Sequence, residues 1–169
     1  LDAVVGKYRL RFARNEADLE AVQRLRYRVF NVELGEGLPE AHMSGLDADA
    51  FDAQCQHLVV SLTTTAEVVG TYRMQTASSA RAGLGWYSAG EFDLSELPED
   101  FLAHSVELGR ACIDVEHRDR SVLLLLFRGL VAFLAHHGAQ RFFGCSSLTG
   151  TDPKAVSYTH LTLPTNREV

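Results

Sequence analysis

Lysine is nearly missing from this chain. Of its 16 basic residues only Lys7 and Lys154 are lysines, the others being arginines, and 22 acidic residues outweigh them. The net charge of −6 argues against a nucleic-acid binder, because phosphate contacts need a basic field. Cysteine is scarce as well. Cys55, Cys112 and Cys145 are odd in number and widely spaced, which points to a reducing compartment and no disulfide framework. Long hydrophobic runs are lacking. The longest, VLLLLFRGLVAFLA at 122–135, is interrupted by Arg128 and is shorter than the roughly 20 apolar residues that span a bilayer. No signal-peptide pattern opens the chain, which begins with Leu1 rather than Met, so the sequence reads as a piece of a longer one.

Several chemistries also fail to assemble. The histidines have no metal-ligand spacing with one another or with cysteine, so no metal is expected. LDADAFDAQ at 46–54 has Asp52 and Leu58 where a calcium loop counted from Asp47 needs Gly and Glu. GCSSLTG at 144–150 is not the G-x-S-x-G of a serine hydrolase.

What remains is a chain with 46% hydrophobic residues, long enough for one globular domain with its own core. YRLRFAR at 8–14 alternates like a half-buried strand. Asn15 then caps a helix from Glu16 to about Phe30, with Glu16 and Asp18 at its positive end. The stretch 31–45, with three Gly and a Pro, reads as a long loop. HLVVSLTT (57–64) and EVVGTYRMQT (67–76) form a hairpin, SVELGRACI begins a strand at 105, a helix covers 121–137, and RFFGCSS (141–147) is a last strand. The order β-α-β-β-β-α-β implies an α/β domain built on one mostly antiparallel sheet with packed helices. The final stretch VSYTHLTLPTNREV (156–169) continues no apolar period and closely resembles a translated library-adapter sequence. The expected organisation is therefore one domain over 1–155, incomplete at its C-terminal end, and a non-native tail over 156–169.

Six charges stand where an apolar core is expected. Arg26 lies in the middle of the stripe Leu19, Val22, Val29, Phe30 of the first helix, a costly place for a guanidinium unless it is paired. Asp49 and Asp52 are candidate partners. Arg73 sits inside a hairpin strand, and Glu107 and Arg110 interrupt another. Regular alternation would send those last two to opposite faces. A bulge at Gly109 would bring them together. Three charges of each sign suggest a buried, mutually compensated polar site.

LRYRVF, DADAFD, GTYRM, GWYSAGEFDL and ELGR, in that order over residues 8–153, resemble the ornithine N-acyltransferase family, whose GNAT-like fold is related to that of acyl-homoserine-lactone synthases. The resemblance implies acyl transfer from acyl carrier protein to the amine of an amino acid, most simply ornithine, in ornithine-lipid synthesis. It implies Glu107 and Arg110 as catalytic residues and Arg26, Phe30, Asp49, Asp52 and Arg73 as substrate-binding ones. It further implies that Arg118, Arg120 and Ser121, at the start of the second long helix, receive the carrier or its phosphopantetheine. No cofactor beyond that carrier-borne group is expected. The expected setting is cytoplasmic, with room for peripheral membrane contact. The alternatives are an acyl-homoserine-lactone or other N-acyl amino acid synthase, and an inactive GNAT-like binding domain or inert piece.

Overall fold

A computed structural model describes residues 1–146, so the stretch 156–169 lies outside the described residues. The alternating segment at 8–12 does form a strand, β2 (Tyr8–Phe12), and a strand that the alternation did not reveal, β1 (Asp2–Val5), pairs with it across a turn at Gly6. The turn needs a positive φ of 57° at Gly6, which glycine adopts without a Cβ penalty. Next comes α1 (Glu16–Arg26), capped by Asn15, whose side chain accepts from the Asp18 N–H at 2.9 Å. The helix does not continue to Phe30 as an α-helix. Residues Tyr27–Glu33 form a π-helix, with the Leu34 N–H reaching back five residues to the Val29 carbonyl at 3.0 Å. The loop that follows includes a short helix, α2 (Ala41–Ser44).

The hairpin at 57–76 is β3 (Gln56–Leu62) and β4 (Val68–Thr76). Two short helices follow, α3 (Ala77–Ala82) and α4 (Glu99–Ala103), and then β5 (Ser105–Ile113), α5 (Arg120–His136) and β6 (Arg141–Phe143). β6 is shorter than its apolar pattern suggests. The strand order is β1-β2-β3-β4-β5-β6, antiparallel except for β5 with β6.

The two long helices lie on opposite faces of this sheet. Val122, Leu125, Leu126, Leu130 and Phe133 of α5 pack on Leu10, Leu58, Val60 and Met74. Val22, Leu25 and Val29 pack with Val59, Val68 and Cys112 on the other side. Each such side chain taken fully from water contributes about 1.5–3 kcal/mol. Close approach is enforced at Gly129, where a Cβ would lie 2.7 Å from both Leu58 methyls.

Two breaks in this sheet make room for a site. First, β4 and β5 slip register between Thr71↔Cys112 and Arg73↔Gly109, so β5 carries one extra residue. Second, β6 pairs only with Ser105–Glu107, leaving the far half of that β5 edge without a strand partner among the described residues.

Candidate active site

The bulge in β5 brings Glu107 and Arg110 to one cleft, one of the two arrangements the sequence pattern allowed, but it is not centred on the glycine. Arg110 carries the positive φ, 50°, and Gly109 does not. A non-glycine residue in this region costs roughly 1–2 kcal/mol, and ion pairs recover part of that. The Arg110 guanidinium lies 3.6 Å from both Asp47 and Asp49 and 5.8 Å over the Phe30 ring.

Beneath it lies a largely buried charge network. Arg26 is completely buried; its Nε donates to Asp47 Oδ1 at 2.9 Å, and its two Nη atoms donate to the Asp52 carboxylate at 2.8 and 2.9 Å. Arg26 also donates to the Asp47 carbonyl oxygen. Arg73 donates to Asp49 at 2.6 Å and Asp52 at 2.9 Å. The three arginines are thus balanced by Asp47, Asp49 and Asp52. Asp47, fully buried, was not among the expected site residues. The signal available was a third aspartate in DADAFD, one for each misplaced arginine. Burial works against the Asp52 carboxylate, but the hydrogen bond and charge of Arg26 overcome it and hold the group well below the usual carboxylate range.

Glu107 stands outside this network. Its two oxygens accept the backbone N–H groups of Tyr87 at 3.0 Å and Ser88 at 2.6 Å. The loop 83–90 is also tied down by Gln54 and Gln75, which both donate to the Gly85 carbonyl, at 3.1 and 2.6 Å. The same loop brings Tyr87 beside Arg73, whose guanidinium lies 5.4 Å from the Tyr87 ring and 5.9 Å from that of Phe51.

The cleft over these groups has a volume of about 630 Å³, and Phe30, Arg73, Glu107 and Arg110 all line it. Gln75, Cys55 and Cys145 line it too. An adjoining cavity of about 350 Å³ is walled mainly by Val29, Cys112, Ile113, Leu123 and Leu126, with Arg118 as its one charged wall. The two spaces share Phe30, Leu34, Tyr72 and Ala111. The π-helix and the bulge thus meet where apolar and charged space join.

The remaining expected residues are placed differently. Arg26 and Asp52 are engaged in internal pairs and line neither space, and through Asp52 they hold Arg73. Asp49 holds Arg73 and lies within reach of Arg110, also outside the cleft lining. At Ser121 the backbone N–H is already taken by Asp119 Oδ1 at 2.8 Å, as is that of Val122 at 3.1 Å. The first amides of α5 are therefore already engaged by a carboxylate. Arg118 is paired with Glu33 at 2.7 Å, and Arg120 is exposed at the first turn of α5. No cluster of metal-ligating side chains occurs among the described residues.

A family model for the acetyltransferase (GNAT) domain matches residues 25–128, more than half of the chain. The chain belongs to this GNAT family. Among solved structures, this GNAT domain superposes on the AHL synthase LasI with a TM-score of 0.57 at 15% identity, over 91% of this chain and 76% of that one. It superposes on the CoA-dependent acyl-homoserine lactone synthase BjaI at 0.53 and 18%, over 86% and 65%. These likenesses concern the fold. Curated relatives are nearer in sequence. An L-ornithine N(alpha)-acyltransferase of Agrobacterium fabrum is 39% identical over 89% of this chain and 54% of its own length. One of Rhizobium meliloti is 37% identical over 92% and 56%. The chain thus spans about half the length of the curated relatives it matches. The GNAT family implies coenzyme A, and the residues here do not fit its pyrophosphate. The Asp119 carboxylate occupies the first amides of α5, where free N–H groups would be needed.

Proposed function

We propose that this GNAT domain is the acyl-transferring part of an L-ornithine Nα-acyltransferase. In this reading it moves a fatty acyl group from the phosphopantetheine of an acyl carrier protein to the α-amine, in a bacterial cytoplasm. The observation that carries the reading is the junction of two spaces at the β5 bulge: an apolar one suited to a thioester arm, and a charged one holding Glu107, Arg73 and Arg110. The 36–39% identity to L-ornithine N(alpha)-acyltransferases favours ornithine as the amine.

The chemistry needs three things from the chain. The attacking amine must be neutral, so a base must take its proton. Glu107 faces the cleft and keeps free lone pairs, because each carboxylate oxygen accepts only one amide. The thioester carbonyl must be polarised as its carbon becomes tetrahedral. N–H groups on the unpaired edge of β5 beyond Leu108 are available for this. The substrate carboxylate must be gripped, and Arg110 and Arg73 line the cleft for that purpose. The C–N bond then forms, the C–S bond breaks, and the carrier thiolate leaves and takes up a proton. In this reading transfer is direct. Burial pushes the Cys55 thiol up to about 12, so this one of the two cysteines lining the cleft is a poor nucleophile.

Incubating the protein with acyl carrier thioesters and a panel of amines, read by mass spectrometry, tests the reaction; N-acylornithine is the expected product. Glu107→Gln should slow amide formation on the order of a hundredfold to ten-thousandfold while carrier binding stays near normal. Trp86, the single tryptophan, sits in the loop that Glu107 anchors. Unchanged Trp86 fluorescence in the variant would separate lost proton transfer from a displaced loop. An equal loss of carrier binding would assign Glu107 to the scaffold.

A further inference from the structure

The outward face of α5 is an unusual protein surface. Its inner stripe, Val122, Leu125, Leu126, Gly129, Leu130 and Phe133, lies on the sheet. An amphipathic helix packed this way presents polar side chains on the other side. Here the other side gathers Arg120, Leu124, Phe127, Arg128 and Val131, at spacings of four, three, one and three. Leu124, Phe127 and Val131 are 60%, 53% and 59% exposed. No acidic residue occurs from Arg120 to His137, in a chain of net charge −6. Arg120 and Arg128 have no carboxylate partner among the described residues, whereas Arg24, Arg28 and Arg118 all do.

We propose that this face of α5 is a lipid-contact surface that seats the domain on an anionic membrane. Large aliphatic and aromatic side chains enter the boundary between headgroups and acyl chains, and arginines beside them meet lipid phosphates while their stems lie along apolar surface. The sign of the charge fits. The surrounding surface is acidic on balance, and a cationic helix face is what an anionic leaflet attracts. Besides the two arginines the face offers a docked protein only the Ser121 hydroxyl for hydrogen bonding, although protein interfaces ordinarily carry several such bonds. It also adjoins the site: Leu123, beside Leu124, lines the apolar cavity together with Leu126. An acylated amino acid leaving that cavity would pass into lipid rather than water. This last step rests on the acyl-transfer reading; the surface does not.

Sedimentation of the full chain with extruded vesicles tests the proposal. Vesicles of phosphatidylglycerol and phosphatidylcholine in equal amounts are compared with phosphatidylcholine alone, at low and at physiological salt. Binding to the anionic vesicles, weakened by salt, is expected. Phe127→Glu combined with Val131→Glu should reduce partitioning at least about tenfold, with the circular-dichroism spectrum and thermal midpoint unchanged and turnover of a soluble short-chain donor retained. Absence of binding to anionic vesicles, or equal binding by the double variant, overturns the proposal. So does a double variant that loses only carrier binding or only self-association, since the face would then dock protein. Vesicle binding is read without turnover. A chain that binds vesicles but forms no N-acylornithine would leave this surface standing and remove the reaction, and the reverse would do the opposite.

Discussion

Arg26 shows how one misplaced charge in a sequence can mark a paired interior. A guanidinium in the middle of an apolar stripe signals a special environment, and the environment is there: two buried aspartates and a backbone carbonyl. Arg26 lines neither the cleft nor the adjoining cavity. Removing one member of a buried pair strands the other charge and costs roughly 3–5 kcal/mol. Asp52→Asn should therefore lower unfolding stability by about that much in urea titrations. Acidity should act in two steps. Burial depresses the His57 pKa below its ordinary 6.5, and Asp52 is depressed below 3.8. A depressed folded-state pKa means the unfolded chain binds the proton more readily, so stability is present above the ordinary value and lost as pH falls beneath it. The His57 contribution should begin to disappear below about pH 6.5 and that of Asp52 below about pH 4. In His57→Gln, the decline in urea midpoint between pH 7 and pH 5 should flatten, whereas an unchanged decline would remove His57 as its cause.

At the level of elements, the β5 bulge turns a strand into a site. One extra residue lets Glu107 and Arg110 share a cleft, and it does so by holding Arg110 at positive φ. Arg110→Ala and Arg110→Gly both delete the guanidinium, but only alanine keeps a Cβ in the strained conformation. The glycine variant should be the more stable by about 1 kcal/mol in thermal or urea unfolding, and both should lose activity alike. Equal stability would show that the positive φ is not maintained in the variants. The end of β6 makes a second demand. A Cβ on Gly144 would lie 2.2 Å from the Leu108 carbonyl oxygen, a backbone atom that cannot swing aside. Gly144→Ala should push the two strands apart and lower the thermal midpoint by several degrees, as a change of 1–2 kcal/mol does in a domain of this size.

For the whole molecule, the distribution of arginine matters more than its number. Arg24 pairs with Glu20 along α1, Arg28 with Asp114, and Arg118 with Glu33 at the rim of the apolar cavity. Exposed pairs of this kind are worth about 0–1 kcal/mol, so an acidic partner can displace one cheaply. Only Arg118 of the three lines the apolar cavity proposed for the thioester arm. Arg118→Glu should slow association with an acyl carrier protein and make the rate less sensitive to salt, whereas Arg24→Glu should do neither. Stopped-flow association at two salt concentrations distinguishes them, and equal effects would mean the carrier approaches elsewhere.

Local pattern made the order of the principal strands and both long helices legible, because periods of 2 and 3.6 and an Asn cap are properties of neighbouring residues. The same holds for the presence of a charged site, since a guanidinium on an apolar stripe is conspicuous wherever the chain goes. β1 escaped because four mostly exposed residues carry little alternation, and the π-helix because an apolar stripe does not distinguish an i−5 from an i−4 ring. Which acid answers which arginine was decided in space. Asp47 and Glu107 are equally acidic in the sequence, but the fold buries one against Arg26 and gives the other to two loop amides. The helix start at Ser121 looked open to an anion until its neighbour Asp119 folded back over it. Long-range pairing is set by which surfaces the sheet brings within 3 Å, and spacing along the chain does not encode that.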